Sequence, residues 1–412
     1  MTRVTPFYKD RFNQMIRAYN ETGRMPELPQ VNSIEDLQAQ YPPCSKEDLR
    51  KISERFIEKG YFKGGYIIST SGTTSTPLVL CHRIWGDASE GTYAYQLMSY
   101  LMRNVFTSED TVANLYTPGG LGVLYEGSNR FLEAICATIL PVGQLQSIGS
   151  DPFYFQIFEK FGLNTVMGAP SSVVQFAKQA LEHGVELDIR KIVYTGEHFY
   201  PTKQELIAKV WPDATYFSMF GAVEYGFAGV HTPTMPAGVH ELLDDWYFFE
   251  TDEDDNVLVT VLTSPEVPVI RYKIGDKGKL LAPYQEGAGH GLILGDRSDT
   301  SFNIAGNAVG FDRIKRTVEQ ALGLIDRIQI ILDTDDQGRD VLTLALDADC
   351  SQDSANTGKA HQALDAINEI AEGIERGTVL TRVVGREGLV MNWRTKANPV
   401  IDHRREAQFD HA

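Results

Sequence analysis

Between Gly64 and about residue 230 the chain repeats one rhythm: a short β-branched or apolar run, then a longer run with helical periodicity. "GGYIIST" and "TVANLYT" read as strands and "NRFLEAICATIL" as a helix. The helix "DPFYFQIFEKF" precedes the strand "GLNTVMGAP". "SSVVQFAKQALEHG", closed by Gly184, precedes "IRKIVYTGE", and "TKQELIAKVW" precedes "ATYFSMFG". Strands alternating with helices of this length predict α/β layering with a mostly parallel sheet. From about residue 238 the rhythm changes: "WYFFETDEDDNVLVTVLTS" and "VPVIRYKIGDKGKLLAP" read as strands with tight polar turns, a β-rich section. Past Asp299 a smaller α+β unit follows. It has a hairpin, "RIQIILDTDDQGRDVLTLALD", a helix, "KAHQALDAINEIAEGIE", and a strand, "TVLTRVVG". The first sixty residues read as amphipathic helices broken at "MPELPQ" and "YPPC"; Ser45, with Asp48 three residues on, caps the last of them. A chain of 412 residues with 42% hydrophobic content has room for two domains. We place them at 1–297 and 298–412.

Charge and cysteine usage narrow the function. The formal net charge is −17, which disfavours nucleic acid and anionic membranes as partners while leaving room for a locally positive pocket. Cys44, Cys81, Cys136 and Cys350 are widely spaced and form no CxxC, so neither a disulfide framework nor a zinc ribbon is expected. The N-terminal stretch lacks a signal-peptide core and no run of about 18 apolar residues occurs. The expected location is therefore cytoplasmic.

Five stretches carry candidate chemistry. "STSGTTSTPLVL" (Ser69–Leu80) places a Ser/Thr/Gly-rich loop after a strand, where hydroxyls and backbone N–H groups can cradle a phosphate; it lacks the Gly-Lys-Ser/Thr ending of a Walker A loop. By itself it reads equally well as a surface loop. In "MFGAVEYG" (Met219–Gly226) Glu224 follows a strand end, a place for a carboxylate that holds Mg²⁺ together with phosphate oxygens. "VIRYKIGDKG" sets Asp276 in what reads as a turn between strands, where a carboxylate can accept both ribose hydroxyls. "GDRSDTSFNIAGNAV" carries Arg297 and Asp299 at the expected domain boundary, and "NWRTKANPVIDHRR" holds Lys396 in a polar loop. Each alone also reads as ordinary surface or linker.

Their order is more specific than any one of them. The sequence of phosphate loop, "YTGE", aromatic-Gly-x-x-Glu, "RYKIGD", "DRSD…AGNAV" and a terminal Lys resembles the adenylate-forming superfamily of acyl-CoA synthetases. Within it, "CSKEDLR", "LTSPEVPVIRYKIGD" and "RSDTSFNIAGNAV" are most similar to the phenylacetate–CoA ligase branch. The resemblance runs from about residue 40 to the end. It implies ATP, Mg²⁺ and coenzyme A as cofactors and a small, aromatic carboxylic acid as substrate. The acid would become an acyl-AMP and then a thioester.

Residue by residue, the resemblance implies that Thr70, Ser71, Gly72, Thr73 and Thr74 grip the β- and γ-phosphates and that Gly196 and Glu197 lie by the adenine. Glu224 would ligate Mg²⁺ and Asp276 would bind the ribose. Arg297 matches the hinge arginine, Asp299 the hinge itself, and Lys396 the lysine that reaches the carboxylate and α-phosphate. An acyl pocket is expected among Tyr116, Gly119, Tyr125 and Ala222, with Phe220 and Gly221 also at the nucleotide; Tyr116, Tyr125, Phe217, Phe220 and Gly221 could sandwich a flat ring, though Phe217 reads more readily as core. Four positions depart from the family pattern: Ser75 for a Gly, Val223 for a Ser or Thr, Ala305 for an Arg, and Asp296 for a Gly. His231 and His240 stand without cysteines, so no structural zinc is expected. These departures point to a specialised member, with a natural-product pathway as one setting. They also leave open a non-thiol acceptor (carrier protein, amine or hydroxyl) or a weakened binding homologue. A homodimer is also left open.

Overall fold

The computed structural model describes residues 4–23, 26–62, 64–70, 78–82, 92–148, 151–263, 267–297, 301–322, 328–346, 354–385, 388–389 and 399–404. Its contacts divide the chain into two compact units: one of Met1–Thr70, Pro77–Ile139 and Thr215–Asp299, the other chiefly of Leu140–Ala214 and Thr300–Ala412.

The first unit is built on seven antiparallel strands in the order Tyr247–Thr251, Asn256–Val261, Tyr272–Leu281, Gly291–Arg297, Val239–Leu242, Gly226–His231 and Thr215–Ala222. Most neighbours are joined by short connections, which favour antiparallel pairing because a parallel neighbour needs a long crossover; Gly291–Arg297 instead returns to pair with Val239–Leu242 after three intervening strands. The same reasoning covers Tyr66–Ser69, which pairs antiparallel with Val79–His82. Parallel pairing in the central part of the chain is seen between Thr165–Gly168 and Lys191–Tyr194, which the helix Pro170–Glu182 connects. That crossover is the parallel arrangement expected here; the hairpins Tyr66–Ser69/Val79–His82 and Thr215–Ala222/Gly226–His231 are antiparallel.

N-terminal helices pack on this sheet. Lys46–Glu58 carries the anticipated cap: the Ser45 side chain accepts from the Asp48 backbone and the Asp48 carboxylate accepts from the Ser45 N–H. Its apolar face, Leu49 and Phe56, joins Ile68, Leu78, Phe220, Tyr225, Phe249, Val259 and Tyr272 in the main core. Each large apolar side chain so buried contributes about 1.5–3 kcal/mol. Helix Lys9–Glu21 buries Phe12, Met15 and Ile16 against Phe248 and Leu262 in a second cluster. Arg271 fastens the end of a third helix, Ile34–Gln40, to the sheet. Its guanidinium meets Glu250 at 2.6 Å and donates to the Tyr41 carbonyl at 2.8 Å, with both charges buried.

The second unit contains the hairpin Ile328–Thr334/Asp340–Leu346, as expected, within a four-stranded sheet ordered Val379–Val384, Asp340–Leu346, Ile328–Thr334, Val400–Asp402. The long helix expected at "KAHQALDAINEIAEGIE" is two helices, Ser354–Asp365 and Asn368–Glu375. Their buried faces, including Leu364, Ile367 and Ile370, pack with Ile314, Ile330 and Leu344. Among the described residues no helix is long and apolar enough to cross a membrane.

Candidate active site

In the first unit Glu224 sits at the tip of the hairpin formed by Thr215–Ala222 and Gly226–His231. The ladder slips by a bulge between Phe220 and Gly221, and the strands come together so closely there that only glycine fits at 221. A Cβ on Gly221 would lie 2.4 Å from the Gly226 carbonyl oxygen and 2.9 Å from Phe227 Cα. Gly226, at φ +81°, turns the chain back. Two buried phenols brace the tip: Tyr247 donates to the Tyr225 carbonyl at 2.8 Å and Tyr93 to the Phe227 carbonyl at 2.5 Å. Burial pushes both phenol pKa values up, so both stay protonated donors. Gly221→Ala is expected to cost about 1–3 kcal/mol or more by forcing backbone against backbone. Urea unfolding midpoints check this, and an unchanged midpoint would contradict the close approach.

Glu224 itself is buried, with a side chain 10% exposed. Tyr272, whose pKa is raised by burial and by the Glu224 charge, donates its hydroxyl proton to Glu224 Oε1 at 3.2 Å. Lys46 Nζ stands 3.5 Å from the same oxygen. Lys46 is the first residue of its helix, and Tyr272 opens the strand Tyr272–Leu281. Three distant pieces of sequence thus meet at one carboxylate oxygen.

Thr70 closes the base of the phosphate-loop candidate. Its backbone N–H donates to the Leu78 carbonyl, and its hydroxyl oxygen accepts from the Leu78 N–H, both at 3.0 Å. One residue earlier, the Ser69 N–H donates to Leu121. Leu121, Gly119 and Gly120 all adopt positive φ, a tight exposed turn beside the strand. Asn114 fixes the backbone at Tyr116 and Tyr125. Its side-chain oxygen accepts from the Tyr116 N–H at 3.1 Å, and its amide donates to the Tyr125 carbonyl at 3.1 Å and to Asn129 at 2.8 Å. Tyr116 is buried, Tyr125 half-buried and Gly119 exposed. Phe220 is packed in the main core against Phe249 and Tyr225, with Ala222 half-buried at the hairpin end. His231 Nδ1 contacts the Val239 carbonyl at 2.7 Å and His240 Nε2 the Ser218 hydroxyl at 3.0 Å.

Asp276 does not lie in a turn. It is half-buried inside the ten-residue strand Tyr272–Leu281, opposite Arg297 in the ladder. The glycines that suggested a turn do other work. Gly275, at φ +89°, deforms the strand, and Gly278 sits where a Cβ would come 2.8 Å from Val257 and 2.9 Å from the Ile293 carbonyl.

In the second unit Glu197 belongs to a buried ionic lattice. Its carboxylate accepts from the Ser171 N–H and hydroxyl, at 3.1 and 2.7 Å, and pairs with Lys203. Lys203, wholly buried, also meets Asp340 at 3.0 Å; Asp340 faces Arg404 at 3.2 Å and accepts from the Ala305 N–H at 2.8 Å. Burial opposes the Lys203 charge, but Asp340 and Glu197 outweigh it and its pKa is raised. Likewise burial opposes ionisation of Asp340, and Lys203 and Arg404 outweigh it, so its pKa is lowered. Arg404 stacks over Tyr200 and donates to the Asn303 carbonyl at 2.8 Å; the Asn303 amide donates to the Gly196 carbonyl at 2.6 Å. Ala305 and Gly306, both at positive φ, form the turn this lattice holds.

No family model matches the chain. The indoleacetate–lysine synthetase of Pseudomonas savastanoi is 26% identical over 384 residues, spanning 90% of this chain and 92% of that protein. A solved 2-hydroxyisobutyryl-CoA ligase, in complex with 2-HIB-AMP and CoA, matches with TM-score 0.69 at 16% identity over 97% of this chain and 90% of that one. The chain has the adenylate-forming fold. The amide bond synthetase McbA of Marinactinospora thermotolerans is also similar, with TM-score 0.52 at 15% identity over 81% of this chain and 67% of that one.

The first unit contains Thr70, Glu224 and Asp276, with Tyr116, Gly119, Tyr125, Phe220, Gly221 and Ala222, while Gly196 and Glu197 lie in the second. Ser71, Gly72, Thr73, Thr74, Ser75, Asp299 and Lys396 lie outside the described residues, and Arg297 ends the strand Gly291–Arg297. The adenylate-forming fold implies Mg²⁺, and Glu224 fits it. One carboxylate, its Oε1 already engaged, suits an ion that takes one or two protein oxygens and completes its shell with phosphate and water. Among the described residues no group of three or more His, Cys, Asp or Glu could hold a metal. Sequence reading missed Lys46, Tyr272 and Asn114. Of these, Lys46 was visible in "CSKEDLR", where a lysine stands at the first position of a helix.

Proposed function

We propose that the chain activates a small aromatic carboxylic acid with ATP and passes the acyl group to an amine. The observation that carries this reading is the nearly full-length likeness to indoleacetate–lysine synthetase, a protein named for an arylacetic acid and an amino acid. In the first step a substrate carboxylate oxygen attacks the α-phosphorus, the Pα–O–Pβ bond breaks, and pyrophosphate leaves. In the second an amine nitrogen attacks the acyl carbon, AMP leaves with the C–O bond electrons, and the nitrogen loses a proton.

Neither step needs an enzyme nucleophile; both need alignment and charge stabilisation. In this reading Glu224 holds Mg²⁺, which offsets charge on the phosphates. Asp276 takes the ribose hydroxyls, and the loop that Thr70 closes receives the outer phosphates. Gly196 and Glu197 form the adenine wall. Because the Glu197 carboxylate is engaged by Ser171 and Lys203, it acts by fixing the backbone. In the same reading Lys396, which lies outside the described residues, supplies positive charge to the carboxylate and α-phosphate. Asn114 sets Tyr116 and Tyr125 as ring contacts for the acid.

Coenzyme A as acceptor is the second reading, favoured by the CoA-ligase structural neighbour and by the phenylacetate–CoA ligase-like motifs. Pyrophosphate release, measured with a panel of arylacetic and benzoic acids, tests the first step. At least one acid should give release above the ATP-only rate. Release with none of them rules out both acceptor readings.

A further inference from the structure

Lys46 has a place in the site that the roles above do not use. It is a cation at the first position of the helix Lys46–Glu58, the end where the helix dipole disfavours positive charge and where Glu47 and Asp48 are the complementary residues. The helix gains nothing from it there. Its side chain nonetheless reaches Glu224, and among the described residues it is the cation that ion-pairs with that carboxylate. At 3.5 Å the pair is loose, and the Lys46 side chain is 34% exposed, so Nζ is open to a second partner. Tyr272 donates to the same oxygen, so Glu224 keeps a donor if Lys46 leaves it.

We infer that Lys46 is a nucleotide-binding residue that exchanges partners: it neutralises Glu224 in the free protein and moves to a phosphate oxygen when Mg²⁺-ATP binds. The exchange follows from charge. Glu224 cannot serve Lys46 and a divalent ion equally; once it turns to the ion, the ammonium beside it faces the phosphates the ion brings. A protein of net charge −17 needs such local cations to bind an anionic ligand. This inference rests on the adenylate-forming reading, since it supposes that Mg²⁺-ATP is bound here.

Calorimetric titration of Mg²⁺-ATP into the full chain tests it, with Lys46→Ala, Lys46→Arg and, as a charge control on the same helix, the exposed Lys51→Ala. Lys46→Ala should weaken binding at least about tenfold, the size of one lost charge-assisted contact. Lys46→Arg should recover to within about threefold, and Lys51→Ala should bind as the parent does. Thermal melting should fall modestly in Lys46→Ala, which leaves the buried Glu224 with Tyr272 as its donor, and return in Lys46→Arg, so that loss of fold is told apart from loss of a nucleotide contact. Unchanged affinity in Lys46→Ala overturns the inference. So does an equal loss in Lys46→Ala and Lys51→Ala, which would mean diffuse electrostatics. If the parent protein itself binds no Mg²⁺-ATP, the nucleotide reading fails first and this inference falls with it.

Discussion

Asp340→Ala should destabilise the unit that contains it by about 3–5 kcal/mol, the cost of leaving buried charge without its partner. Asp340 is fully buried and answers two fully buried cations, Lys203 at 3.0 Å and Arg404 at 3.2 Å. Removing it leaves Lys203 with Glu197 and the Ser171 hydroxyl and takes from Arg404 its buried neutraliser, although Asp402 still accepts from that guanidinium at 2.8 Å. It also frees the Ala305 N–H, in a turn whose non-glycine residue is already held at φ +47°. Asp340→Asn keeps an acceptor for that N–H and loses only the charge, so it should fall between the two. Burial opposes ionisation of Asp340, and Lys203 and Arg404 outweigh it. With the folded pKa lowered, its contribution is present above the unfolded value of about 4 and disappears as pH falls through the folded one. Urea unfolding at neutral pH measures the effect. A loss of less than about 1 kcal/mol in Asp340→Ala would mean that the lattice is not the buried network described.

The second large effect belongs to Lys396. If it supplies positive charge to the carboxylate and α-phosphate, Lys396→Ala should slow pyrophosphate release by about 10²–10³-fold, the scale of removing one preorganised charge-stabilising group. Transfer from a supplied acyl-AMP should be much less affected, because the role assigned to Lys396 belongs to the first step alone. Single-turnover assays of each half-reaction separate the two. Equal loss in both would refute the role assigned to Lys396.

Local features were legible in the sequence because local chemistry sets them. Ser45 and Asp48 form a capping box wherever they meet, and "DTDDQGRD" turns back on itself because Gly338 supplies positive φ at +74°. The strand end before Glu224 was legible in "FGAVEYG" as well, whereas the hairpin that follows from it was not. Asp276 was misplaced because two nearby glycines looked like turn residues. One admits a bulged strand and the other a close approach by neighbouring strands, and both are tertiary demands. Lys46, Tyr272 and Asn114 escaped notice for a related reason. A lysine in a helix, a tyrosine in a strand and an asparagine at a strand end are ordinary locally; only folding brings Lys46 and Tyr272 to one carboxylate. Glu197 shows the converse. Its motif marked it for a ligand, and folding engaged its carboxylate with Ser171 and Lys203.

In the proposed reaction an acyl-adenylate formed here passes to an amine. The most direct test supplies one active arylacetic acid with Mg²⁺-ATP, lysine and coenzyme A together, and identifies the product by mass spectrometry. The prediction is an acyl-lysine amide formed in excess over the acyl-CoA thioester, with AMP and pyrophosphate released in equal amounts. A thioester as the dominant product, with lysine left unacylated, would contradict it.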